Sequence, residues 1–200
     1  MSNWRDRFNK IGGRSRFVVC RVMLHLSGSN IAPLLGTLNR VGREAIDSDG
    51  DLDIVGEGLV EVCQSLLEYE PNWRSAANEG DVFTKEEEAG DYITELFTDS
   101  AQRYLSRGDF EEDSDIDEPL SLSPTENIIV MITIACEGEV PSLETNLAEL
   151  EAMEDGLKTL IDLHHGEKLR AIQIHFSPAQ LGDELTQEQI LMNYSELIPL

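Results

Sequence analysis

Apolar and polar positions alternate with period two over residues 17–26, FVVCRVMLHL. Val18, Cys20, Val22, Leu24 and Leu26 fall on one side of an extended chain, with Arg21 and His25 on the other. This predicts a strand with one well-buried face. After the Gly28-Ser29 break the period becomes helical. Ile31, Leu34, Leu35, Leu38, Val41 and Ala45 share one stripe, and Asn30 stands where an N-cap belongs. A second helix from about Val55 carries Leu59, Val62, Cys63, Leu66 and Leu67, and it ends before Pro71, which disfavours helical geometry at Glu70. A third opens on the Thr84/Glu87 capping-box pattern, with Glu86 and Glu88 at its positive end. Its face is Tyr92, Ile93, Leu96, Phe97 and Ala101, and Arg103, Arg107 and Gly108 close it.

Residues 127–136, NIIVMITIAC, are apolar almost throughout, the pattern of a strand covered on both faces, and so the predicted central strand. A helical region over 143–164 runs through Leu147, Leu150, Leu157, Leu160 and Ile161, with a break expected at Asp155-Gly156. Over 169–176, Ile172, Ile174 and Phe176 alternate with Ala171, Gln173 and His175, which predicts a strand with one buried face. Thr186 and Gln189 form a capping box for a short C-terminal helix, and Leu185 and Ile190 have staple spacing. Strands separated by helices predict an α/β fold: a small, largely parallel sheet of three clear strands with helices packed on it. Residues 1–16 form a basic amphipathic arm, and 17–200 form one α/β domain interrupted by an acidic linker over 109–125.

Composition adds charge to this outline. The chain has 200 residues, 40% of them hydrophobic, and a net charge of −24. Arg5, Arg7, Lys10, Arg14, Arg16 and Arg21 stand against Asp6 in the first 21 residues, a net +5 that leaves −29 for the rest. Such a body repels nucleic acid over most of its surface, while the arm can meet an anionic partner. No run approaches the roughly 18 apolar residues of a membrane span, and no leader pattern follows the basic start, so a cytoplasmic protein is expected. Cys20, Cys63 and Cys136 lack metal spacing and lie in apolar runs, as buried reduced thiols do.

Asp47, Asp49, Asp51 and Asp53 have the spacing of a calcium loop. Leu52 stands where that loop needs glycine and Gly58 where it needs a bidentate glutamate, so an acidic turn between two helices is the better reading. The Gly28-Ser29-Asn30 junction lacks a phosphate-binding fingerprint. If the strands are parallel, Glu137 and Glu139 emerge beside it and oppose an anion. His164 and His165 are adjacent and diverge on a helix, and His25 and His175 have no ligand-spaced partner. The sequence supports no catalytic residue, metal ligand or cofactor.

Two stretches carry a resemblance. PNWRSAANE, with Pro71, Trp73 and Ala77, is similar to a motif of the domain of unknown function 1517 family of cyanobacteria and plastids. The terminal GDELTQEQILMNYSELIPL, with Leu185, Thr186, Tyr194, Glu196 and Leu197, resembles that family's closing motif. Members often carry an Arg- and Gly-rich segment, echoed here by KIGGRSRF, and a membrane span, which has no counterpart here. Members are associated with thylakoids and with regulating photosynthesis under changing light, and none has established catalytic residues. The resemblance thus implies a non-catalytic regulatory or scaffold protein that binds protein partners at or near thylakoid membranes. The expected docking residues are Tyr194, Leu197, Ile198 and Leu200, apolar groups at a chain end. The alternative for these residues is packing back on the sheet. In the arm, Trp4, Phe8 and Ile11 form a helical stripe flanked by Arg5, Arg7 and Lys10, the pattern of an element that lies on anionic membrane; the alternative is that the arm folds back on the chain's own acidic body. The rival function is a small-ligand sensor or enzyme with its site at the strand C-terminal ends, near Gly28, Ser29, Asn30 and Glu137.

Overall fold

A computed structural model describes residues 16–105, 125–179 and 183–200. Arg16 is the one arm residue inside it, and Thr125 the one residue of the acidic linker. The chain runs through β1 (Phe17–Ser27), α1 (Ala32–Asp47), α2 (Leu52–Glu68), a single 3-10 turn (Glu70–Asn72), β2 (Trp73–Phe83) and α3 (Glu86–Leu105). It continues through β3 (Asn127–Glu137), α4 (Leu150–His165), β4 (Leu169–Ser177), α5 (Gln187–Asn193) and β5 (Ile198–Pro199).

The five strands form one sheet in the order β4-β3-β1-β2-β5. Every pairing is antiparallel, which overturns the expected parallel sheet. The reason lies in the connections. Between β1 and β2 the chain makes an out-and-back excursion as the α1–α2 hairpin, so it re-enters the sheet at the end it left, running the other way. Between β3 and β4 the loop over 138–149 runs out across the sheet and α4 returns. A single crossing segment would have made neighbours parallel; two crossings make them antiparallel.

Helices cover both faces of the sheet. On the first face, Val18, Cys20, Val22, Leu24 and Leu26 of β1 meet Leu34, Leu35 and Leu38 of α1, with Leu59 and Val62 of α2 and Leu157 and Leu160 of α4 in the same cluster. On the second face, Val19 and Ala135 lie beneath Ala89, Ile93 and Leu96 of α3. Beside them, Met23, Ala77, Ile129 and Met131 lie beneath Leu185, Ile190 and Tyr194. Strand β1 is therefore buried on both faces, correcting the expected single buried face, and it occupies the middle of the sheet where β3 was expected.

Four local expectations also change. Helix α1 starts after Ile31 without a side-chain cap, because the Asn30 carboxamide oxygen accepts from Asn72 Nδ2 at 2.9 Å instead. Helix α4 is unbroken through Asp155-Gly156 and begins only at Leu150. A Cβ on Gly156 would lie 3.3 Å from Leu147, so this glycine gives the preceding loop room to pack rather than ending a helix. Helix α2 begins at Leu52, three residues before the expected start, because Asp51 caps it. Strand β2 has no counterpart in the sequence reading. The Thr186/Gln189 capping box is present as predicted.

Candidate functional site

The acidic stretch over 47–53 is a turn. Asp49 has φ 55° and Gly50 φ 74°, which reverses the chain, and Asp51 accepts from the backbone N–H groups of Asp53 and Ile54 at 3.1 and 3.2 Å. Its charge sits at the positive end of α2, where it is favourable. No group of three His, Cys, Asp or Glu side chains among the described residues is placed to hold a metal ion.

The pocket expected at the strand ends is not assembled. Gly28 N–H donates to Glu126 O beside the start of β3, whereas Glu137 lies at the far end of that strand, paired with Phe17. Antiparallel strands put the two groups at opposite ends of the sheet.

The C-terminal residues divide. Tyr194 is 2% exposed within the second-face cluster, and Leu197 packs against the same cluster. Ile198 and Leu200, 44% and 36% exposed, remain at the surface, with Ile198 in β5 beside β2. Arg103 of α3 fastens this segment by donating to Glu196 and to Asn193 O, and its guanidinium lies 5.9 Å from the Tyr194 ring centroid. Trp4, Arg5, Arg7, Phe8, Lys10 and Ile11 lie outside the described residues.

Arg21 is 2% exposed at the middle of the second face, where α3 covers it. It donates to Glu79, to Asp99 at 2.5 Å and to Ser100 Oγ at 2.9 Å. Burial alone would raise the Asp99 carboxyl, but Arg21 and Arg103 overcome it and hold Asp99 below its ordinary range. This chain of charges ties β1, β2, α3 and the C-terminal segment together.

His25, also buried, forms a row across three strands. Its Nδ1 lies 3.3 Å from Ser75 Oγ on β2 and its Nε2 lies 3.1 Å from Asn127 Oδ1 on β3. Asn127 Nδ2 donates to Leu185 O, which turns Oδ1 toward the ring, so Nε2 carries the proton and Nδ1 accepts from the serine. Burial lowers the His25 pKa, keeping the ring neutral. The row looks like a nucleophile, base and orienting amide. The nearby cation, Arg74, is already engaged by the carbonyls of Pro71, Trp73 and Ser27, so it is not held out toward a developing oxyanion. The row satisfies a buried histidine. The three thiols are buried, and burial raises their pKa values, that of Cys136 to about 12, so they are poor nucleophiles.

Besides cavities of about 450 Å³ beside His25, Ser75 and Arg74 and about 380 Å³ beside Asn78, Arg103 and Glu196, a groove of about 550 Å³ lies between the α1–α2 hairpin and β4. Val41, Ala45 and Ile46 of α1 and Leu52 and Val55 of α2 form its helical wall, and Ile172, Ile174 and Phe176 of β4 its floor. Ile46 is 78% exposed and Leu52 38%, and Ile54 is exposed close by. Asp47 at the end of α1 and Asp49, Asp51 and Asp53 beyond it are all exposed, and in the chain they adjoin Ile46, Gly50 and Leu52 of the lining. The sequence reading missed this site because its strand and its helices are far apart in the chain. The available signal was Ile46, a large apolar residue one place beyond the buried stripe that ends at Ala45.

Comparison with known proteins gives one match. The model of a family described as "Protein of unknown function (DUF1517)" matches residues 16–200. No curated protein and no solved structure matches the chain.

Proposed function

Because the chain belongs to the DUF1517 family, whose description assigns no activity, we propose a function from its geometry: a non-catalytic regulatory or scaffold protein that binds protein partners at or near photosynthetic membranes. The observation that carries this reading is the open apolar groove beside β4, with Ile46 and Leu52 on its wall. A contiguous apolar surface rimmed by polar groups marks an interaction site, since leaving it in water costs about 25 cal/mol per Å². The photosynthetic setting rests on the family likeness of the PNWRSAANE and C-terminal motifs.

No helix among the described residues is long and apolar enough to cross a membrane. The proposed membrane contact rests on the sequence pattern of the arm alone. Arg5, Arg7 and Lys10 each contribute about 1 kcal/mol at an anionic surface, and Trp4, Phe8 and Ile11 insert beside them.

Capture from a photosynthetic-cell lysate, with and without washed thylakoid membranes, tests the reading. The intact chain is compared with an Ile46→Glu/Leu52→Glu variant. Both positions are exposed and Leu52 opens a helix, where an added carboxylate is tolerated, so the variant keeps its fold. Partners retained by the intact chain and lost by the variant support the groove; equal capture by both, or by neither, counts against it.

A further inference from the structure

Resting on the protein-binding reading above, we propose that β4 receives an extended peptide of alternating apolar and basic residues, which adds to the sheet as a sixth strand and lays its apolar side chains in the groove.

Strand β4 spans nine residues, LRAIQIHFS, and stands at the edge of the sheet, where β3 is its one strand neighbour among the described residues. Proteins protect such edges with proline, charge, bulges or a covering segment. The opposite edge shows that protection: β5 pairs with β2 at Ser75 and Ala76, and Asn78 bonds both Thr145 O and Leu147 N–H of the 138–149 loop. On β4 such protection is confined to the strand's start: Arg170, the only ionic side chain at neutral pH, donates to Glu137, and the register with β3 shifts between Ala135 and Cys136. Nothing among the described residues pairs with the outer side of Ala171–Phe176.

Side chains of a strand alternate between faces, so a pocket on one face touches every second residue. Here the consecutive residues Arg170, Ala171, Ile172, Gln173 and Ile174 all line the groove. It therefore opens on the backbone edge, where an added strand would lie about 4.8 Å away. Five residues at about 3.3 Å each give a contact some 17 Å long, enough for five or six residues of peptide. Backbone bonds would hold it, and every second side chain would turn toward Val41, Ile46 and Leu52.

Asp47, Asp49 and Asp53, exposed and next in the chain to the groove-lining Ile46, Gly50 and Leu52, give it an acidic rim; they make no ion pair among the described residues, and the chain outside its first 21 residues carries −29. A basic peptide is attracted and an acidic one repelled. A free fatty acid or other small apolar anion suits the lining but not this rim.

Two labelled pools of decapeptides test the proposal by fluorescence anisotropy. One alternates Val, Ile or Phe with Lys or Arg; the other carries Glu in place of the basic residues. The basic pool binds the full chain saturably. Binding weakens at least tenfold in the Ile46→Glu/Leu52→Glu variant and at least tenfold when alternate backbone amides of the best peptide are methylated. Equal affinity for the methylated peptide, or preference for the acidic pool, overturns strand addition. Lack of peptide binding beside groove-dependent capture of a native partner also overturns it while leaving the protein-binding reading standing. A dimer that forms in the intact chain and dissolves in the variant puts a second copy on the edge, and overturns the proposal as well.

Discussion

Deleting residues 194–200 separates packing from docking at the chain's end, and the structure sets the magnitude. Tyr194 is 2% exposed among Met23, Ala77, Ile129, Met131, Leu185 and Ile190. Removing a buried aromatic side chain costs about 3–5 kcal/mol. Leu197, partly buried on the same cluster, contributes about 1 kcal/mol more. The deletion also takes Glu196 from Arg103 and the β5 pairing from β2, contributions that solvent keeps small. A loss of about 4–6 kcal/mol lowers Tm by about 8–24 °C in a chain of this size, at about 2–4 °C per kcal/mol. Ile198→Ser with Leu200→Ser, at half-exposed positions, stays within about 4 °C because surface changes cost about 0.5 kcal/mol each. Differential scanning calorimetry of both variants checks this. A deletion that moves Tm by less than about 2 °C refutes the reasoning, because the segment would then contribute as little as an unpacked tail.

Other outcomes follow from single positions. A Cβ on Gly80 would lie 2.4 Å from Val19 O, a backbone atom that cannot yield, so Gly80→Ala lowers stability by about 2 kcal/mol or more in urea titration; a neutral result contradicts the close approach. Asp51→Ala removes the cap of α2 and costs about 1 kcal/mol. Calorimetry with calcium shows no binding, and micromolar affinity abolished by Asp49→Ala would restore the calcium loop. His25 and His175 are held neutral by burial, with pKa values below the ordinary 6.5. The unfolded chain therefore binds more protons just below that pH, so this contribution is complete above it and declines as pH falls through it. Urea midpoints drop from pH 7.5 to pH 5.0, and His25→Gln flattens the slope; an unchanged slope contradicts the assignment.

The helices were legible because their periodicity reports burial directly. The 31–45 stripe and the Thr186/Gln189 box appear in the fold as written in the sequence. Strand β2 was not legible. Its stretch from Ser75 to Gly80 is small or polar, since Gly80 must pass close to Val19 O and Asn78 must reach the 138–149 loop. Its absence hid the out-and-back path of α1 and α2, and with it the direction of every strand. Arg21 and His25 read as solvent-facing because alternation reports polarity, not coverage; Asp99 and Ser100 of α3 pair with Arg21, and Ser75 and Asn127 of the neighbouring strands pair with His25. The groove depends on which residues the fold brings together, information that no local window holds.

Hydrogen exchange on the full chain, alone and bound to the partner that it captures from lysate, tests the central claim most directly. Strand addition brings new protection of the backbone amides of Ala171–Phe176, with the α1–α2 turn protected beside them and α3 unchanged. Protection confined to the C-terminal segment, or a complex that leaves β4 exchanging as it does alone, would contradict it.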